Sequence, residues 1–224
     1  MLFERRFNTK INIKKIKRIK RKLSLETVVR RRSKYRAIFK AGEEHTTAPN
    51  LVQRNFSPSE DVNVLSADIT ELSYRGGKKA YLFGVKELKS RMLVHYEVKE
   101  SPTIDLVVES FSGFLEKLPR YLRRKTIIHS DQGFQFTSAQ FRSVIDGNEI
   151  LQSMSRKGNC LDNAPIESFF GHLKDEVDYK NCCSFGEVKA MVKEYVSYYN
   201  FDRPQWSLKR KTPAEAGVEL GLVF

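Results

Sequence analysis

The chain has 224 residues, of which 40% are hydrophobic, and this content excludes a wholly disordered protein. Its apolar runs are too short to span a membrane, and its charged N-terminus lacks a signal region, so we expect a cytoplasmic protein with no membrane partner. The three cysteines are odd in number and lack the spacing of a metal clip, so neither a disulfide framework nor a zinc site is predicted.

The net charge of +13 is concentrated at the N-terminus. Residues 1–40 contain 16 Lys and Arg against two acids, whereas the remainder of the chain is close to neutral. Such a segment is attracted to a polyanion through the release of counterions. The alternative is a solvated basic tail without a partner. Apolar residues that recur among the charges at helical intervals favour nucleic acid.

Three segments are expected: a basic helical DNA-binding arm over 1–40, a linker over 41–61 and a folded core over 62–224. In the arm, Asn12 is expected to cap a helix with a thin apolar stripe. Too little apolar surface is present for this helix to fold alone, and its charge suits phosphate contact. The basic residues expected to contact DNA are Lys14, Lys15, Lys17, Arg18, Arg30, Arg31 and Arg32.

Beyond residue 61 the pattern is that of an α/β domain. Three apolar runs joined by short connections predict an antiparallel meander, and a helix before the fourth run predicts a parallel crossover. The result is a mixed five-stranded sheet flanked by helices. Strands are expected over 62–69, 80–85, 91–96, 126–129 and 150–151. Helices are expected to begin with the N-caps Ser101, Thr137, Asp162 or Asn163, and Ser184.

Two aspartates stand out because each interrupts or ends an apolar strand. Asp68 lies in the first strand and Asp131 directly follows the fourth. Since these strands can lie side by side in this topology, both acids would reach one end of the sheet. Glu167 opens a later helix, and Lys174 shares its face. The segment 155–165 before this helix is rich in Gly, Asn and Asp and is expected to be mobile.

Three carboxylates without a His or Cys cluster favour Mg²⁺ or Mn²⁺, which take oxygen ligands. Two such ions would activate an attacking oxygen and stabilise the leaving oxygen in phosphodiester displacement. The alternative is structural: Asp68 and Asp131 would be turn-forming acids, and Glu167 a first-turn acid favoured by the helix dipole. The residues by themselves leave both interpretations open.

The chain resembles the integrase-core transposases of bacterial insertion sequences, in particular the insertion-sequence-3 family. These use two aspartates and a glutamate, the last two separated by thirty-five residues, and residues 132–166 separate Asp131 from Glu167. The motifs HSDQGFQFTS, SMSRKGNCLDNAPIESFFGHLKDE and YYNFDRPQWSLKRKTPAEA match as well, and the similarity covers roughly residues 10 to 217. The match begins part-way into the family's helix-turn-helix segment, so an N-terminally truncated copy is expected. The family often has tryptophan in place of Leu65 and an aspartate where Lys86-Glu87 stand.

The resemblance implies an RNase H-like fold and a DNA transposase, that is, an Asp-Asp-Glu polynucleotidyl transferase of DNA recombination and integration. Asp68 and Asp131 would share one Mg²⁺ and Asp68 and Glu167 a second, with Mn²⁺ able to substitute. Lys174 would contact the terminal DNA backbone. Further candidates for DNA contact or for support of the site are Asn163, Ser130 and Gln132.

The resemblance also implies the partners. They are double-stranded DNA, at element ends and target, and further copies of the chain on that DNA, in the bacterial cytoplasm at the nucleoid. Two other functions stay open. One is a DNA-binding remnant that interferes with transposition without catalysis. The other is an RNase H-like nuclease acting on hybrids, which the basic arm and the C-terminal motif disfavour because a free-standing nuclease needs neither.

Overall fold

The computed structural model of the chain describes residues 1–26, 47–56, 62–156 and 160–222. The strands within these ranges are β1 Asn63–Tyr74, β2 Lys78–Glu87, β3 Leu93–Lys99, β4 Thr126–Ser130 and β5 Leu151–Met154. The helices are α1 Leu2–Phe7, α2 Ile13–Lys22, α3 Ile104–Lys117, α4 Arg120–Arg123, α5 Phe134–Thr137, α6 Ala139–Gly147, α7 Ala164–Glu176, α8 Phe185–Ser197 and α9 Pro213–Glu219. No helix in these ranges has the length and apolarity needed to cross a membrane.

The strands form one mixed sheet in the order β3-β2-β1-β4-β5. The first three pair antiparallel, and β4 pairs parallel with both β1 and β5. The predicted meander, crossover and adjacency of the first and fourth strands are therefore confirmed. Parallel pairing after a helical crossover brings the carboxyl end of β4 beside the middle of the longer strand β1.

Alternation along β1 sends successive side chains into two different cores. Leu65 and Ala67 pack with α3 and α6 on one face of the sheet, whereas Leu72 packs with α7 and α8 on the other. Asp68 has the same parity as Leu72, so it lies on the α7 face. This three-layer arrangement sets the side of the sheet on which a site can form.

Two predicted helix starts are wrong by one or two residues. Thr103, not Ser101, caps α3, because the Thr103 side chain accepts the Leu106 backbone N–H. The carbonyl of Pro102, which precedes this cap, accepts a hydrogen bond from Gln135. Ser138, not Thr137, caps α6, because the Thr137 hydroxyl bonds back to the Gly133 carbonyl and closes α5. In both cases a hydroxyl residue near the boundary was the correct kind of signal, but the neighbouring hydroxyl residue makes the capping bond.

Part of the predicted linker packs on the domain. In residues 47–56, the Leu51 backbone N–H donates to Ser153 Oγ at 2.9 Å, and the Met154 N–H donates to the Pro49 carbonyl at 3.3 Å. Val52 is buried against Val64 of β1. This segment covers the edge strand β5, which would otherwise offer unpaired backbone groups to another chain.

Candidate active site

Asp68 lies in the middle of β1, opposite Gly84 of β2. It is half-buried, and its Oδ1 accepts the Ile69 backbone N–H at 2.7 Å. Gly84 lets α7 approach at this point, since a Cβ there would lie 3.3 Å from the Phe170 ring and 3.4 Å from Ile166 Cδ1. The absence of a side chain on the neighbouring strand therefore brings the Glu167 helix close to Asp68.

Strand register brings Asp131, which directly follows the carboxyl end of β4, beside Asp68. Ser66 of β1 pairs with His129 of β4, so Asp68 and Asp131 each lie two residues beyond a paired position. An offset of two preserves the face, so both side chains leave the sheet on the same side. Asp131 is exposed, and its Oδ1 accepts the Gly133 N–H at 2.9 Å, which shapes the turn after β4.

The charges of Asp131, Glu167 and Lys174 all influence the pKa of the Asp68 carboxyl. Burial raises the pKa of Asp68 to about 8; the negative charge of Asp131 contributes next, and Glu167 adds to it. The hydrogen bond from Ile69 and the positive charge of Lys174 act in the opposite direction. Glu167 is half-buried in the first turn of α7, and Lys174 lies two turns further along. The fold thus brings Asp68, Asp131, Glu167 and Lys174 into one electrostatic environment.

The donor set fits a hard divalent cation, although the side chains do not already enclose one. In the described part of the chain, no group of three or more His, Cys, Asp or Glu side chains is arranged as a metal cage. Close carboxylates disfavour one another's charged form, and a bound cation removes that cost. A set made only of carboxylate oxygens is suited to Mg²⁺ or Mn²⁺.

Asn163 connects β1 to α7. Its Oδ1 accepts the Ser66 hydroxyl at 2.5 Å and its Nδ2 donates to the Ala67 carbonyl at 3.2 Å. The side chain is 2% exposed and makes no capping bond to α7, although Asn163 is the N-cap residue. A DNA contact by Asn163 stays a prediction, but both polar ends of its side chain are used to hold the residues before Asp68.

Asp162 is the centre of a second network. Its carboxylate, which is fully buried, accepts from Arg54 Nε at 2.7 Å, from Arg156 Nε at 3.0 Å and from Asn50 Nδ2 at 3.2 Å. The Arg156 hydrogen bonds, followed by that of Arg54, hold the pKa of Asp162 well below its ordinary value of 3.8. Residues 157–159, within the segment expected to be mobile, lie outside the described residues. After these residues, the hydrogen bonds of Asp162 anchor the chain two residues before α7 begins at Ala164.

Lys86 is a buried cation that the sequence-based prediction missed. It is 4% exposed in β2, and its Nζ donates to the Pro165 carbonyl at 2.9 Å and lies 5.6 Å from the Tyr199 ring centroid. Burial, followed by the positive charges of Arg91 and Arg203, lowers the pKa of Lys86 to about 7. The available signal in the sequence was a lysine directly after the apolar run of residues 80–85. Lys86 thus supports the first turn of the helix that carries Glu167.

Other predicted residues lie at the edge of the site or away from it. Ser130 is buried and donates to the Asp131 carbonyl, and Gln132 donates to the Ser155 carbonyl.

In the arm, α2 begins after Asn12, which accepts the Lys14 N–H at 2.8 Å, as predicted. Arg30, Arg31 and Arg32 lie outside the described residues. The exposed basic residues of α2 include Lys14, Lys15, Lys17 and Arg18.

Comparison with known proteins agrees with this architecture. Two family models, both described as integrase core domain, match residues 58–160 and 148–213. An uncharacterized transposase-like protein of Haemophilus influenzae is 37% identical over 214 residues, covering 95% of this chain and 96% of that protein. InsK of insertion sequence element IS150 from Escherichia coli is 37% identical over 206 residues, covering 92% of this chain and 71% of InsK.

A solved structure supports the fold at greater sequence distance. The HTLV-2 integrase catalytic core domain in complex with magnesium superposes with a TM-score of 0.51 at 19% identity, covering 68% of this chain and 94% of that one. At this identity the similarity establishes the RNase H-like fold alone. Together with the family models and the relatives, it leads to one conclusion: the chain belongs to the integrase-core family of insertion-sequence transposases.

Proposed function

We propose that this transposase cleaves DNA at the ends of its mobile element and joins the freed 3′-hydroxyl to a new phosphodiester. The observation that carries the proposal is that strand register brings Asp131 beside Asp68 and that Gly84 lets the helix of Glu167 and Lys174 approach. The charges of these three residues also act on the pKa of Asp68. A turn acid or a helix-dipole acid needs no such partners. Three carboxylates that repel one another on the α7 face of the sheet indicate a cation site, because a bound cation would offset their repulsion.

Asp68, Asp131 and Glu167 would hold the metal. When bound, a pair of divalent ions activates the attacking oxygen and stabilises the leaving oxygen of the phosphodiester. Magnesium is proposed because the related viral core domain is a magnesium complex and the donors here are all carboxylates, with Mn²⁺ as a substitute. Lys174, on the same helix as Glu167, would contact a phosphate of the terminal DNA backbone.

The remainder of the chain would hold the DNA. Residues 1–40 form the proposed binding arm, 41–61 the connection and 62–224 the catalytic core. On α2, Lys14, Lys15, Lys17 and Arg18 are exposed and suited to phosphate contact, and Arg30, Arg31 and Arg32 would extend that surface. We include a homo-oligomer on double-stranded DNA, acting at the nucleoid, in the proposal, because the related HTLV-2 core domain forms trimers and dimers.

The decisive experiment compares Glu167→Gln with Glu116→Gln, a matched change at an exposed acid of α3. Strand transfer is measured with Mn²⁺ on oligonucleotides carrying the element ends. We expect Glu167→Gln to lower the rate at least about 100-fold because one metal ligand is lost, while Glu116→Gln stays within about twofold. Equal product from wild type and Glu167→Gln would disprove the assignment. Retained DNA binding by both variants shows that the loss is chemical.

A further inference from the structure

An exposed tryptophan lies on the C-terminal side of the domain, in a motif that the proposed chemistry does not use. Trp206 is the only tryptophan of the chain, and 70% of its surface is exposed. The Arg210 guanidinium lies 4.9 Å from the ring centroid and covers one face of it. Arg210 therefore contacts the ring from one side, and most of the ring surface is presented to solvent.

The backbone around Trp206 forms a tight turn, which we call the basic turn, over residues 205–211. Gln205 and Lys211 form an antiparallel bridge, and the Arg210 N–H donates to the Gln205 carbonyl at 2.9 Å. Lys209 and Arg210 have φ angles of 52° and 69°, a left-handed conformation that residues with a β-carbon disfavour. Two successive positions therefore carry cations where glycine or asparagine would be less strained.

The charges of the basic turn are only partly neutralised. Lys211 is paired with Glu219, whereas Lys209 and Arg210 are exposed and pair with no carboxylate in the ranges that the structure describes. Arg203, just before the turn, is fixed by both carboxylate oxygens of Glu176, with its Nη2 2.7 Å from Oε1. An exposed aromatic face beside unneutralised cations is the combination by which proteins bind unpaired nucleotides.

We propose that the basic turn binds DNA where a base face is exposed, at an unpaired nucleotide or a terminal base pair. Trp206 stacks on the base, and Lys209 and Arg210 contact the flanking phosphates. The inference rests on the proposed function only for the choice of DNA as ligand. Because Glu176 lies nine residues after Glu167 on α7, the turn is anchored about 14 Å along that helix from the proposed catalytic carboxylate.

The single tryptophan makes a direct test possible. The full chain, without divalent metal so that no cleavage occurs, is titrated with a single-stranded oligonucleotide, a duplex with an unpaired 3′ overhang, a covalently closed circular duplex and inorganic polyphosphate. Tryptophan fluorescence is recorded, together with binding by an independent method. We expect saturable quenching by the single strand and the overhang, and little quenching by the closed circle or by polyphosphate.

Two variants and one control complete the test. Trp206→Leu and Arg210→Gln are expected to weaken binding of the single strand about 10-fold and to leave binding of the closed circle within about twofold. Phe201→Leu changes another exposed aromatic residue, 59% exposed, and should alter neither. Unchanged fluorescence on confirmed single-strand binding, or equal quenching by polyphosphate, would overturn the proposal. Because no cleavage is measured, this result is independent of the outcome at Glu167.

Discussion

The helix that carries Glu167 and the helix of the basic arm are similar in length but are stabilised in different ways. α7, with 13 residues, buries Ile166, Phe169, Phe170 and Leu173, whereas α2, with 10 residues, buries none. The cap of α2, Asn12, bonds its own helix, while the cap of α7, Asn163, bonds β1 instead. Local signals therefore account for where α2 begins, whereas tertiary contacts hold α7 against the sheet.

The largest contrast is expected from truncating one apolar residue in each helix. Phe169 is fully buried, and its ring centroid lies 4.8 Å from that of Tyr199. Phe169→Ala should lower the free energy of unfolding by about 3–5 kcal/mol, because it removes burial and leaves a cavity. Ile16→Ala on the exposed stripe of α2 should change it by less than about 0.5 kcal/mol. Urea unfolding of both variants measures the difference; a similar cost at the two sites would contradict it.

Replacing Asp162 tests whether its ion pairs with Arg54 and Arg156 stabilise the chain just before α7. Asp162→Asn should cost about 2–3 kcal/mol at pH 7, since the charge-assisted hydrogen bonds to Arg54 and Arg156 are weakened. The pKa of Asp162 is depressed in the folded state, so its contribution to stability is full above about pH 4 and is lost as pH falls further. The variant should therefore show a shallower decline of stability below pH 4, measured by thermal unfolding against pH. If stability falls below pH 4 as steeply in the variant as in the wild type, Asp162 does not make this contribution.

Asn163 and Asn12 provide a matched pair of caps. Asn163→Ala should lower the free energy of unfolding by about 1–2 kcal/mol, because the buried Ser66 hydroxyl and Ala67 carbonyl lose their partner. It should also lower the affinity for Mn²⁺, as β1 and α7 are no longer tied together. Asn12→Ala should reduce only the helical circular dichroism of the arm. A wild-type Mn²⁺ titration for Asn163→Ala would show that Asn163 serves stability alone.

Lys86 is expected to give the smallest effect, with the opposite sign. Its folded pKa of about 7 lies below the ordinary 10.5, so the unfolded chain binds more protons between these values and stability rises with pH through that window. Lys86→Met should add on the order of 1 kcal/mol of stability at pH 6, since a buried charge is removed, and should flatten the rise above pH 7. Chemical denaturation at pH 6 and pH 9 tests this, and a loss of stability at pH 6 would show that the Pro165 contact outweighs desolvation.

Much of the fold was predictable because its signals are local. The alternation along β1, the helical periodicity of α3 and α8, and the crossover before β4 follow from apolar spacing alone. The errors at Thr103 and Ser138 arose where two nearby hydroxyl residues could each serve as the cap. The packing of residues 47–56 on β5 was not predictable, since those residues have loop composition and their partners are distant in sequence.

The candidate site divides in the same way. The family, the three acids, the interval between Asp131 and Glu167 and the basic arm can all be recognised in the amino acids alone, because motif identity and charge need no coordinates. The folded chain was needed to show that Gly84 admits α7, that Asn163 ties that helix to β1, that Lys86 is buried beneath Pro165 and that Arg210 covers Trp206. Most of these contacts join residues far apart in the chain, and such contacts exist only once the sheet has ordered its strands.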